Sequence, residues 1–174
     1  RAVTRGAQLV VFVLAAASMV LQPTIAKLYA VRDMQRLQRV ATQSARVVLR
    51  VSLPIAIDQR ETYQSILLIF GQEFTKGAMA LAILSLGQLV NAAMGSVGLI
   101  LNMTGHERET AKGVGIAAVV NVALNAILIP VWGMNGAATA TATSLVVWNV
   151  ILAVQVVRRL GIDPTAFGRI GGKA

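Results

Sequence analysis

The sequence predicts an all-α fold, a polytopic transmembrane helix bundle of about five spans. Three observations predict it. Of 174 residues 56% are hydrophobic and 13% charged, roughly half the charged share of a soluble domain. The deficit lies in long apolar runs rather than in a diluted average. The apolar mass is Ala, Val, Leu and Ile with 15 glycines and 5% aromatics. Such small residues let helices approach closely in lipid, where tails offer no hydrophobic drive between them. A soluble helical bundle with an unusually large core is the bland alternative.

Each element follows from local chemistry. Residues 7–25 form a run long enough to span, and Pro23 lies near its end, where one missing backbone donor is tolerated. Residues 31–46 are basic, with Met34, Leu37, Val40, Ala41 and Val47, Val48 recurring at helical spacing. They read as an amphipathic segment on the cytoplasmic membrane surface. Residues 47–70 are two short apolar pieces around the polar insert Asp58–Gln64 and are long enough to span only together. Residues 78–103, 112–129 and 137–157 are the clear spans. Pro130 and Gly133 separate the last two, and Gly71 and Gly77 bracket the turn before the first. The remainder, 161–174, reads as a polar, poorly ordered cytoplasmic tail.

Net charge is +9, which in a soluble domain would suggest nucleic acid. Here the basic residues sit between apolar runs, so topology accounts for them and no nucleic-acid partner is called. Lys27, Arg32, Arg36, Arg39, Arg46 and Arg50 fall on one side, as do Arg108, Lys112, Arg158, Arg159, Arg169 and Lys173. The alternate loops carry only Lys76. The positive-inside rule then places the C-terminus in the cytoplasm, provided 47–70 crosses the membrane. Arg1 and Arg5 fall outside, against this trend. The absence of cysteine excludes disulfides and thiolate metal sites. His106-Glu-Arg-Glu109 is not a metalloprotease motif, since Thr110 stands where its second histidine belongs. No nucleophile–base pair, phosphate-cradling loop or ligand cluster is present, so neither an enzyme nor a cofactor is expected. The start at Arg1-Ala-Val3 reads as the interior of a longer polypeptide.

Leu86-Gly-Gln-Leu-Val-Asn91, Leu101-Asn-Met-Thr-Gly-His-Glu107 and Trp132-Gly-Met-Asn-Gly-Ala-Ala-Thr-Ala-Thr141 together resemble the polysaccharide-export flippases. These are the O-antigen and lipid-linked oligosaccharide translocases, related to the multidrug and toxin extrusion carriers. Pro23-Thr-Ile-Ala-Lys-Leu-Tyr29 with Asp33, and Ser52-Leu-Pro54 with Phe70-Gly-Gln-Glu-Phe74, fit the same pattern, which runs roughly from Gln22 to Leu160. The resemblance implies about twelve to fourteen helices in two rocking lobes, with residues 1–160 as a C-terminal transmembrane lobe. It implies as partners the lipid bilayer, a lipid-linked saccharide and an N-terminal lobe of the same polypeptide, in a bacterial plasma membrane. Flipping by alternating access is the function it implies. A drug or metabolite exporter of that superfamily and a non-transport scaffold recruiting partners through its basic helix are the alternatives. Asp58, Arg60 and Glu61 depart from the family pattern, which is apolar there.

Candidate site residues follow, each beside a plainer role. Asp58, Arg60 and Glu61 either pair and face a cavity or sit in water near the surface, since ionisable groups in lipid are costly. Asn121 and Asn125, four apart, share one helix face, as do Gln88 and Asn91; each pair either lines a cavity or bonds between helices. Arg46 and Arg50 either draw in a diphosphate headgroup through the planar guanidinium or contact anionic lipid. Gly136, Ala140 and Ser144 form a small-residue ridge for close packing.

Overall fold

The computed structural model describes residues 21–70 and 75–168, with side chains of 55–76 and Ala78 left aside. Most of the predicted span 7–25, the turn after Phe70 and the side chains of Asp58, Arg60 and Glu61 therefore lie outside the described residues. Every regular element described is helical. We number them α1 (residues 21–30), α2 (Met34–Phe70), α3 (Thr75–Met94), α4 (Val97–Met103) and α5 (Glu107–Leu160).

The turn between α1 and α2 is made by one left-handed residue and one cap. Arg32 has φ 55°, which ends α1. The Asp33 carboxylate then accepts the Arg36 backbone N–H at 3.0 Å and pairs with its guanidinium at 3.2 Å. A side-chain oxygen there satisfies a donor the helix start leaves open, worth about 1 kcal/mol. From this cap α2 runs unbroken for 37 residues through Pro54. The basic segment 31–46 and the predicted span 47–70 are thus largely one helix. No glycine or cap separates them, and the face Leu37, Ala41, Thr42 and Ala45 is buried.

The predicted helix 78–103 is also revised. It breaks between α3 and α4, bending by 41°. Gly95, at φ 74°, adopts a conformation that side chains resist and glycine does not. Residues 112–129 and 137–157 both fall within α5, and helical bonding carries across the junction between them. Only Gly133, at φ 53° and ψ −125°, is non-helical within α5.

At Gly133 α5 folds back on itself. Asn121 meets Ser144 at 3.0 Å, and Glu109 meets Arg159 at 3.1 Å. An added carbon on Gly113 would stand 2.7 Å from Leu152 Cδ2, and one on Gly136 would strike the Leu128 carbonyl. The ridge Gly136, Ala140 and Ser144 is buried and faces the first arm, which is how the arms come so close. Each arm exceeds the about 20 residues needed to span.

Among the described residues α5 is long and apolar enough to cross a membrane, and Met79–Met94 with Val97–Met103 qualifies if taken as one bent span. None of the most apolar window of α5 is buried, whereas the central helix of a soluble bundle would be. Val119 and Val122 on its first arm are 70% and 69% exposed. The core itself lies toward the other end. Ile25 of α1, Leu37 of α2, Ile100 and Leu101 of α4, and Leu152 and Val156 of α5 are buried together.

Residues 161–168 are not a loose tail. Gly161 caps α5 at φ 68°, and Ile162, Pro164 and Ala166 are buried. Ile162 joins the core. Three small or apolar side chains suffice to dock this short polar-looking segment.

Candidate functional site

The break between α3 and α4 opens a cavity of about 540 Å³ walled by α2, α3, α4 and α5. Val48 and Ser52 come from α2, Gln88 and Asn91 from α3, and Trp148 and Asn149 from α5. Gly95 and Ser96 form the break itself. Among the described residues its walls carry no charged side chain. Amides, hydroxyls and one indole surround an apolar remainder, a lining suited to neutral hydroxylated matter more than to an ion.

Asn149 organises this wall. It is 2% exposed, and its Nδ2 donates to Asn91 Oδ1 at 2.9 Å and to the Leu145 carbonyl at 2.8 Å. Asn91 Nδ2 in turn reaches Gln88 Oε1 at 3.4 Å. The predicted pair Gln88 and Asn91 is therefore brought together and tied to α5. Sequence reasoning missed Asn149. Its signal was a lone amide beside Trp148 in an otherwise apolar run. The indole Nε1 of Trp148 and the hydroxyl of Thr110 are buried without a hydrogen-bond partner, and both residues line the cavity. Buried donors in that condition are uncommon.

A second, more open cavity of about 340 Å³ lies alongside, sharing Gln88 and Trp148 and adding Ala117, Asn121 and Ser144. Asn125 donates to Asn121 Oδ1 at 2.9 Å, Asn121 to Ser144 Oγ at 3.0 Å, and Ser144 to the Thr141 carbonyl at 2.9 Å. The stripe bonds the two arms of α5 to each other, and Asn121 but not Asn125 lines this second cavity.

Among the described residues, the basic half of α2 and the cations near both ends of α5 lie together. Arg159 joins Glu109, which also pairs with Lys112 at 3.6 Å. Gln38, on the basic half of α2, bonds Asp163 just beyond α5. The uncharged turn at Gly133 lies at the other end of the hairpin. Arg50 is exposed. Arg46 is engaged: its Nε donates to the Ala166 carbonyl at 2.8 Å and its Nη2 to that of Gly168 at 3.2 Å. Its predicted headgroup contact therefore competes with a structural use.

An apolar helical hairpin beside an amide-lined cavity is the arrangement of a helical membrane protein. The chain is similar to the probable low-salt glycan biosynthesis flippase Agl15 of Haloferax volcanii, 35% identical over 86 residues. That stretch is 49% of this chain and 18% of the flippase. The similarity is to a flippase over part of this chain, and with the apolar helices it supports a membrane location. No family model and no solved structure matches the chain.

Proposed function

We propose that the chain is part of the C-terminal lobe of a carrier that flips a lipid-linked oligosaccharide across the plasma membrane by alternating access. The observation that carries this reading is the amide-rich cavity ringed by Gln88, Asn91, Trp148 and Asn149, uncharged among the described residues. Sugar hydroxyls donate and accept hydrogen bonds without charge, which amides match, and an indole offers a flat apolar face. The similarity to a glycan flippase agrees with it. Cations gathered at one end favour a cytoplasmic C-terminus. Five crossings complete the topology, counting the bent α3–α4 pair as one and each arm of α5 as one. The diphosphate of such a cargo would meet the basic end, where Arg50 is free to face it.

The test is transbilayer movement of a prenyl-diphosphate-linked oligosaccharide in vesicles holding the polypeptide that carries this chain. We expect movement that depends on the sugar, with the bare prenyl diphosphate moving far more slowly. Equal rates for both would sink the reading, because the cavity would then have no part in recognition.

A further inference from the structure

We propose that residues 162–168 form a C-terminal strap that latches α2 to the α3–α4 break and so sets how far the polar cavity opens. The strap touches both walls. On the α2 side, Gln38 Nε2 donates to the Asp163 carbonyl at 2.6 Å, and its Oε1 accepts the Asp163 N–H at 2.6 Å. One side chain thus holds both main-chain groups of a residue 125 positions away. Thr42 Oγ1 adds a longer bond to the same carbonyl at 3.4 Å. Arg46 then secures the carbonyls of Ala166 and Gly168.

On the other side, the Ala166 N–H donates to the Ala93 carbonyl at 2.8 Å. Helix α3 is ending there, so that carbonyl is one its own helix leaves open. Any carbon added to Gly95 would stand 2.6 Å from the Pro164 carbonyl oxygen and 2.9 Å from Ala45 Cβ. The strap, the break and α2 therefore meet at one glycine, and that glycine also lines the cavity.

Part of the cavity wall lies next to the strap's contacts. Val48 and Ser52 follow Arg46 on α2, and Ala92 precedes Ala93 on α3. With the strap seated, the distance between these walls is fixed. The latch joins hydrogen bonds from the partly exposed Gln38 and Arg46 to the buried side chains of Ile162, Pro164 and Ala166. Water competes for the polar half, and a segment this short opens and closes as a unit. The strap acts on the cavity whatever the cargo, so this proposal stands apart from the translocation reading.

The chain contains no cysteine, which permits a clean labelling experiment in detergent micelles. Three single-cysteine variants are compared with a water-soluble maleimide: A166C on the buried face of the strap, F167C on its exposed face, and S52C in the cavity wall. With the latch intact, A166C should react roughly tenfold or more slowly than F167C. Two unlatching changes are then added separately: Arg46→Ala with Gln38→Ala, and Gly168→Ala. The Gly168→Ala carbon would stand 2.9 Å from Thr42 Oγ1 and 3.0 Å from the Asp163 carbonyl, and it leaves every helix untouched should the double change not fold. Either change should bring A166C to the F167C rate and speed S52C by about threefold or more. Fast labelling of A166C with the latch intact overturns the proposal. So does A166C that stays protected in both variants, or S52C that keeps its rate once the strap is released.

Discussion

Asn149→Leu separates the structural from the functional share of the cavity wall. Leucine keeps the branching of a side chain that is 2% exposed, with two methyl groups in place of the amide oxygen and nitrogen, so contacts are kept while the hydrogen bonds are removed. Two hydrogen bonds go. The one to Leu145 stays within α5, and the one to Asn91 is the link between α3 and α5. Bonds between helices in lipid average about 0.6 kcal/mol and reach about 1.7 kcal/mol, which is roughly a 3- to 18-fold change in the unfolding equilibrium. Denaturant unfolding in micelles, followed by helical circular dichroism, reads this for Asn149→Leu, Asn91→Leu and the pair. A coupling of about 0.6–1.7 kcal/mol is expected from the cycle. On the proposed recognition role, flipping by the double variant should fall further, by about fivefold or more, because two amides proposed to bond the sugar at about 0.5–1.5 kcal/mol each are removed from the wall. A coupling of zero would refute the bridge between α3 and α5. Flipping that falls only as far as stability does would refute the recognition role.

Two further outcomes test the hairpin. Gly133→Ala forces a side chain onto φ 53° and ψ −125° and should cost about 1–3 kcal/mol; Gly115→Ala, with nothing within 4 Å of the added carbon, should be neutral or stabilise by up to about 1 kcal/mol, so equal unfolding midpoints for the two would refute the turn. Arg159→Ala removes a pair in which the arginine is 52% exposed and Glu109 keeps Lys112 as a partner; it should cost under about 1 kcal/mol at low salt and nothing measurable at high salt, and a larger loss would mean the pair closes the hairpin on its own.

Much of the architecture was legible because it is written in local terms. Apolar runs gave the two arms of α5, and Pro130 with Gly133 marked the fold-back, since only glycine takes that conformation without strain. Spacing alone put Gly136, Ala140 and Ser144 on one ridge, and likewise Gln88 with Asn91 and Asn121 with Asn125. The break in residues 78–103 was less legible. Gly95 has the same local appearance as Gly98 three positions on, and only the strap and Ala45 packed against Gly95 distinguish the two.

The sequence by itself determined that the chain is helical, that its apolar stretches alternate with basic ones, and that pairs of neutral amides recur at helical spacing. These depend on composition and on separations of a few residues, within reach of a helix period. Tertiary structure alone decided that Asn149 ties α5 to α3, that Arg46 holds main-chain carbonyls, and that residues 162–168 dock as a strap. Those contacts join positions 58 to 125 apart in the chain. Nothing in the local pattern of Ile162-Asp-Pro-Thr-Ala-Phe-Gly168 marks it as a docking segment. Its burial depends on a crevice that exists only after α2, α3 and α4 have come together.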